Sequence, residues 1–329
     1  MAGVNPQVGM VIPIWYPDDA VPGLVETLLA RTLDGVEQYC APENVVLVLD
    51  GQERWQEAVQ AQATARGYRY HYLPTNLGKG AAVAAGIEAL NSAGLRFIVT
   101  RDSDGDHLIN DMPSLLDLAD LIDADTGNDL LIVSGGRGDR VRPLGFERAE
   151  YEQVTDRVLW QALQYNAARD GRLLSGIYFA PHGDWPDIQS GYKVYSAAAA
   201  RMAAAVLSTA CQGSSDGGLS RCGVETLPAV VILSLGGEIG QVNRHTYQEQ
   251  PVSGYRDVDA LKMYAEPLLW ALRRLQIPGA VAATMLDDAL LRSRLLFDPS
   301  RREKALAVRA AVLAGLGNER PLNWGARFF

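Results

Sequence analysis

The densest chemistry in the chain lies in Arg101-Asp102-Ser103-Asp104-Gly105-Asp106-His107. Its three carboxylates alternate directly after the apolar run Phe97–Thr100. A strand that ends in a tight turn aims two such groups at one cation. Mg²⁺ and Mn²⁺ accept carboxylate and phosphate oxygens together, so Asp102 and Asp104 suit a metal-bridged diphosphate. A calcium loop is excluded, because His107 stands where that loop needs glycine and Pro113 where it needs glutamate.

A second segment, Asn76-Leu77-Gly78-Lys79-Gly80, lies between a strand and a helix. Backbone N–H groups and Lys79 can meet an anion there, at a helix N-terminus. The first glycine of a Walker loop and the hydroxyl residue after its lysine are both missing, which removes the grounds for an ATPase. Gly213-Ser214-Ser215-Asp216-Gly217 spells a nucleophile elbow. It follows a helix where an elbow follows a strand, so it reads as a substrate-covering loop instead. His245, beside Arg244 at the end of a short strand, is the histidine best placed to complete an Asp-rich Mn²⁺ site, and His107 is a neighbour supporting the acidic loop.

These groups need a scaffold. Residues 9–13 and 45–49 are short, β-branched runs that stop at Pro13 and at Asp50-Gly51. Runs of that kind are buried strands of a parallel sheet. Helical spacing fills 20–39, 53–66, 79–93, 151–168, 196–207 and 225–236, and strands are expected at 68–73, 97–100, 129–134 and 238–244. Residues 186–195 read as a loop entering a strand, and 212–223 as a loop. Alternation of this kind predicts a doubly wound, mostly parallel α/β sheet, with ligands collecting beyond the strand ends at Pro13, Asp50 and Asp102. After Gly254 only helices are expected, with Asp298-Pro299 opening the last of them. The division expected is an α/β domain over 1–250 and a helical appendage over 251–329.

Composition narrows the class. The chain has 329 residues, 48% of them hydrophobic, and a net charge of -9. That size supports a large core, and that charge argues against a general nucleic-acid binder. Three scattered cysteines fit a reducing cytoplasm, and neither a secretion signal nor a run of about 20 apolar residues is read. Arg292, Arg294, Arg301, Arg302 and Lys304 read as a solvated helix face, with peripheral contact to anionic headgroups as the alternative. The C-terminal helices also offer a homo-oligomer contact.

In order and spacing, VIPIWYPDD, VLVLD, NLGKG, DSD, SGGR, DIQSGYKVYS, GVE and QVNRH resemble the GT-A nucleotide-sugar glycosyltransferases of family 2 type over most of 8–250. The resemblance implies a metal-dependent hexosyltransferase using Mg²⁺ or Mn²⁺ and a UDP- or GDP-hexose, acting on a small polar or phosphorylated acceptor. It places Pro13 and Asp50 at the base and ribose, Lys79 at the diphosphate, Asp102 at ribose or metal, and Asp104 on the metal with His245. Asn76, Arg137, Ser190 and Gly191 complete the donor contacts. Asp187, Asp216 and Glu225 are the carboxylates available as catalytic base, with a loop-holding role for Asp187 and a helix cap for Glu225 as the alternatives. NLGKG, GGR and DIQSGYKVY resemble polyprenyl-phosphate hexosyltransferases, whereas GVE and QVNRH are closer to glucosyl-3-phosphoglycerate and mannosylglycerate synthases. WYPDD departs from the usual Asn-Glu after the first strand, and the processive Gln-x-x-Arg-Trp motif is absent. The rivals are a sugar-phosphate nucleotidyltransferase, which needs a Gly/Arg-rich loop where WYPDD stands, and a non-catalytic nucleotide-sugar-binding module.

Overall fold

The computed structural model describes residues 4–91, 93–213, 218–246, 259 and 261–318. In chain order they form β1 (Val8–Ile14), α1 (Pro22–Leu33), β2 (Val45–Asp50), α2 (Glu53–Arg66), β3 (Arg69–Leu73), α3 (Lys79–Leu90) and β4 (Phe97–Thr100). There follow α4 (Met112–Thr126), β5 (Leu131–Arg137), α5 (Val141–Leu144), α6 (Phe146–Arg169), β6 (Lys193–Ser196) and α7 (Ala197–Gly213). The last part comprises α8 (Gly218–Cys222), α9 (Thr226–Ser234), β7 (Glu238–Arg244), a π-helical turn (Leu261–Ala265), α10 (Glu266–Arg274), α11 (Gly279–Leu291) and α12 (Pro299–Gly315).

The seven strands make one sheet in the order β3-β2-β1-β4-β6-β5-β7. Only β6 runs antiparallel to its neighbours. Every residue of β1 and β2 is buried, as a sheet covered on both faces requires. Val11, Val46 and Val48 face an apolar layer with α3, α6, α7 and α9, while Met10, Ile12, Leu47 and Leu49 face a second layer with α1, α2 and α4. A Cβ on Gly86 would lie 2.4 Å from Val11 Cγ1, so glycine lets α3 lie directly on β1.

Strand order reverses between β1 and β4, the place where such sheets bind ligands. Because β6 is reversed, the loop before it, rather than the one after it, reaches the same edge as the C-terminal ends of the parallel strands. That brings Gln189–Gly191 to the ends of β1, β2 and β4.

The structure adds α4, a helix over Met112–Thr126 that the sequence reading did not expect. α6 starts at Phe146, five residues before the expected helix at 151, and 218–222 is helical inside the segment read as loop. α10–α12 share one apolar cluster with α6, α7 and α9, through Leu268, Leu272, Leu286 and Val312 among others. The expected boundary at 250/251 lies outside the described residues. α12 opens as expected, with the Asp298 carboxylate accepting from the Arg301 N–H at 2.9 Å and Pro299 in the first turn.

Candidate active site

Beyond the strand ends lies a cavity of about 540 Å³, lined by Pro13, Trp15, Asp50, Asn76, Lys79, Asp102, Asp104 and Gly191, among others. One wall is the β2–α3 region. The Asp50 carboxylate accepts the N–H groups of Leu77 and Gly78, each at 2.8 Å, and so shapes the turn that opens α3. Gly51 permits this at φ 70°, since a Cβ there would lie 2.1 Å from Asn76 N. Asp50 therefore holds the anion-facing turn while it lines the cavity. Trp15 borders the same wall, and its Nε1–H donates to the Gln52 amide oxygen at 3.0 Å when that amide is oriented to satisfy its neighbours.

Lys79 projects from the first turn of α3 into a carboxylate cluster. Its Nζ donates to Asp102 Oδ2 at 2.9 Å and to Glu225 Oε1 at 2.6 Å. Gly191 packs against this pair: a Cβ there would lie 2.5 Å from Asp102 Oδ2 and 2.8 Å from Lys79 Nζ. Thr100 holds that glycine by donating its hydroxyl to the Gly191 carbonyl at 3.1 Å.

The acidic loop is pinned from beneath by buried cations. Arg101, 2% exposed, donates to the carbonyl oxygens of His107 and Thr32. Arg244 donates to the carbonyl and carboxylate of Asp106 at 3.1 Å each and to the Gly135 carbonyl at 3.1 Å. Lys193 does the same for the facing loop through the carbonyls of Ile188 and Ser190. Burial and surrounding cations keep His107 neutral, its pKa well below the usual imidazole value. Its Nδ1 accepts the Asp102 N–H at 3.0 Å, which leaves the proton on Nε2, and its ring stacks on Tyr192 at 5.0 Å.

Burial, then the charges of Asp102 and Asp106, push the Asp104 carboxyl up to about 6. Two carboxylates on one turn, Asp102 of them paired with Lys79, are oxygen ligands of the kind a divalent ion takes together with phosphate oxygens and water. Among the described residues no group of three or more His, Cys, Asp or Glu side chains surrounds a common point.

Several expected residues sit elsewhere. His245 is exposed and does not line the cavity. Arg244 turns inward to Asp106, and successive side chains of an extended chain point to opposite sides. Arg244 itself lines the cavity while it donates to Asp106 and to the Gly135 carbonyl. Asp187 is 2% exposed and absent from the cavity wall. Burial raises its pKa, but Arg137 and Arg140 outweigh that and hold it far below the usual carboxylate range, so it is a poor base and a good anchor. Ser190 is buried and donates its hydroxyl to the Gly135 carbonyl at 2.7 Å. Glu225 makes no capping bond to α9 and faces Lys79. Arg137 lines the cavity but is held by Asp187. Asp216 and the surrounding 214–217 lie outside the described residues.

Sequence reasoning missed the outer wall: Arg148 and Glu152 from α6, Arg221 and Cys222 from α8, and Lys262, Met263 and Tyr264 from the π-helical turn. One signal was available. Arg148, Glu152 and Asp156 recur every four residues and so share a helix face.

Asp156 gives this wall a pH signature. Burial pushes its carboxyl up to about 7 despite Arg140 beside it at 2.6 Å. A carboxyl with a raised folded-state pKa binds more protons folded than unfolded, so stability falls as pH climbs from about 4 through 7. Urea midpoints measured from pH 5 to 8 should therefore decline more steeply in the wild type than in Asp156→Asn. Parallel curves would contradict the assignment.

A mostly parallel α/β sheet thus carries a lysine-and-carboxylate cluster at its switch point, where such sheets collect ligands. Residues 20–181, just under half of the chain, match the family model for Glycosyl transferase family 2, and the seven-stranded sheet with its flanking helices has the GT-A arrangement. No curated protein matches the sequence. Among solved structures, Staphylococcus aureus TarS 1-349 in complex with UDP is 14% identical, with 94% of this chain and 89% of that chain covered and a TM-score of 0.44. A cytidylyltransferase from Leptospira borgpetersenii is 10% identical, with 84% and 97% covered and a TM-score of 0.41. Likenesses this distant carry no information about activity.

Proposed function

We propose that the protein is a metal-dependent hexosyltransferase that transfers a hexose from UDP- or GDP-hexose to a small acceptor. The observation that carries this reading is the convergence of Lys79, Asp102 and Asp104 beside the N-terminus of α3. Mg²⁺ or Mn²⁺ bound by Asp102 and Asp104 would neutralise charge on the departing diphosphate. Lys79 and the N–H groups opening α3 supply positive potential to the same group. Pro13, Trp15, Asp50 and Asn76 wall the base and ribose end, and Gly191 lets the loop before β6 pack directly against Asp102 and Lys79.

Glu225 is the best-placed base, since it faces the cavity whereas Asp187 does not. The acceptor oxygen bonds to the anomeric carbon as the bond from that carbon to the diphosphate oxygen breaks. The acceptor proton passes to Glu225, and the nucleoside diphosphate leaves. We assign these steps to residues 1–250, with Asp259, Lys262, Met263 and Tyr264 walling the outer cavity. A cytoplasmic setting suits nucleotide-sugar chemistry, and among the described residues no helix is long and apolar enough to cross a membrane.

A thermal-shift screen of UDP-, GDP- and ADP-sugars with and without Mn²⁺ tests the reading. One nucleotide class should stabilise the protein by about 2.7 kcal/mol at a hundredfold excess over Kd. Absence of any shift, together with no nucleoside diphosphate release from any donor, would sink it.

A further inference from the structure

Lys79 is tied to a carboxylate that a metal ion would need. Its Nζ lies 2.7 Å from Asp102 Oδ1 and 2.9 Å from Asp102 Oδ2, so one ammonium spans both oxygens of that group. Gly191 closes the same carboxylate from another side, where an added Cβ would lie 2.5 Å from Oδ2. A divalent ion bonding Asp102 therefore meets a cation already seated on it, and two like charges at contact distance repel strongly where water is scarce. The ammonium has a second partner in Glu225, whose Oε1 accepts from it at 2.6 Å. Lys79 can give up Asp102 without being stranded. The side chains of Lys79 and Asp102 are each 24% exposed, so water reaches both, and parting them costs less than opening a fully buried pair.

We propose that Lys79 and a divalent cation compete for Asp102: when the cation binds there, the Lys79 ammonium leaves Asp102, keeps Glu225 as its pivot and turns to the diphosphate. Lys79 thereby holds metal affinity down until a diphosphate takes its charge, so metal and donor are retained together. The cation and the diphosphate belong to the glycosyltransferase reading, on which this exchange rests.

Two measurements test it. In the first, Mn²⁺ alone is titrated without nucleotide into the wild type and Lys79→Met, and unbound Mn²⁺ is read by electron paramagnetic resonance. Removing the ammonium should tighten Mn²⁺ about tenfold. Lys79→Gln keeps a hydrogen-bond donor without the charge; it should do the same and serves if Lys79→Met does not fold. Adding Asp104→Asn to either variant should cancel the gain, which places the ion on this turn. Arg221→Gln controls for a long-range charge effect. Arg221 lines the same cavity but donates to the Asn76 carbonyl at 3.0 Å, and its loss should change Mn²⁺ affinity by less than about twofold. Unchanged or weaker Mn²⁺ binding in both Lys79 variants overturns the proposal. So does equal tightening in Arg221→Gln, or a gain that survives Asp104→Asn.

In the second, inorganic pyrophosphate is titrated calorimetrically with EDTA present. Here Lys79→Met should bind about tenfold more weakly than the wild type. One substitution then moves two ligands in opposite directions, which a loss of folded protein cannot do. Equal pyrophosphate affinity in the two proteins overturns the passage of Lys79 to the diphosphate. If no nucleotide sugar releases nucleoside diphosphate, the glycosyltransferase reading fails, and the two titrations, which use no nucleotide sugar, still decide the exchange at Asp102.

Discussion

Asp104→Asn should abolish the Mn²⁺-dependent part of any nucleotide-sugar thermal shift and lower turnover by about 10³-fold. The variant keeps the size of the side chain and an oxygen to accept the Asp106 N–H, a bond of 3.0 Å that shapes the turn, so the loop should still form. It loses the negative charge that Asp104 holds beside Asp102 and Asp106. A divalent ion at a departing diphosphate contributes several kcal/mol, and about 4 kcal/mol corresponds to that loss of rate. Metal titration of the two proteins by thermal shift is the direct measurement. A variant whose Mn²⁺ response equals that of the wild type would move the metal site away from this turn.

Glu225→Gln should separate binding from chemistry. Lys79 remains paired with Asp102 when the Glu225 charge is removed, so donor affinity should change by only a few fold. Loss of a general base typically costs about 10²–10⁴ in rate, and transfer should fall by that amount. Lys79→Met should show the opposite balance, weakening the donor first, because it removes the cation facing the diphosphate. Measuring donor Kd and transfer rate for both variants distinguishes the roles. If Glu225→Gln transfers at the wild-type rate, the base lies elsewhere, with Asp216 the next candidate, or the acceptor needs none.

Within the sequence, the strand-end part of the candidate site was legible because it depends on short-range patterns. β1, β2 and β4 are apolar runs that end on Ile14, Asp50 and Thr100, so their polar successors had to sit at one edge of a parallel sheet. The NLGKG turn announces a helix start by its glycines, and Lys79 indeed stands in the first turn of α3. The state of the remaining carboxylates was not legible. Whether Asp187 is a base or an anchor depends on Arg137 and Arg140, some 50 residues earlier in the chain, which reach it only because β6 is reversed against β5. His245 lay next to a strand end that did reach the site, but one residue along an extended chain turns a side chain to the other face.

The sequence by itself determined the strand-and-helix alternation, the sheet edge that carries ligand chemistry, and the acidic turn at Asp102 and Asp104, because each follows from residue types a few positions apart. Only the tertiary structure decided which carboxylates remain available. Asp187 and Asp106 are consumed by arginines from other strands, whereas Glu225 and Glu152 are held at the cavity wall by α9 and α6. Charge pairing in a buried site is set by distances of a few ångströms between remote segments, and no local pattern encodes those distances.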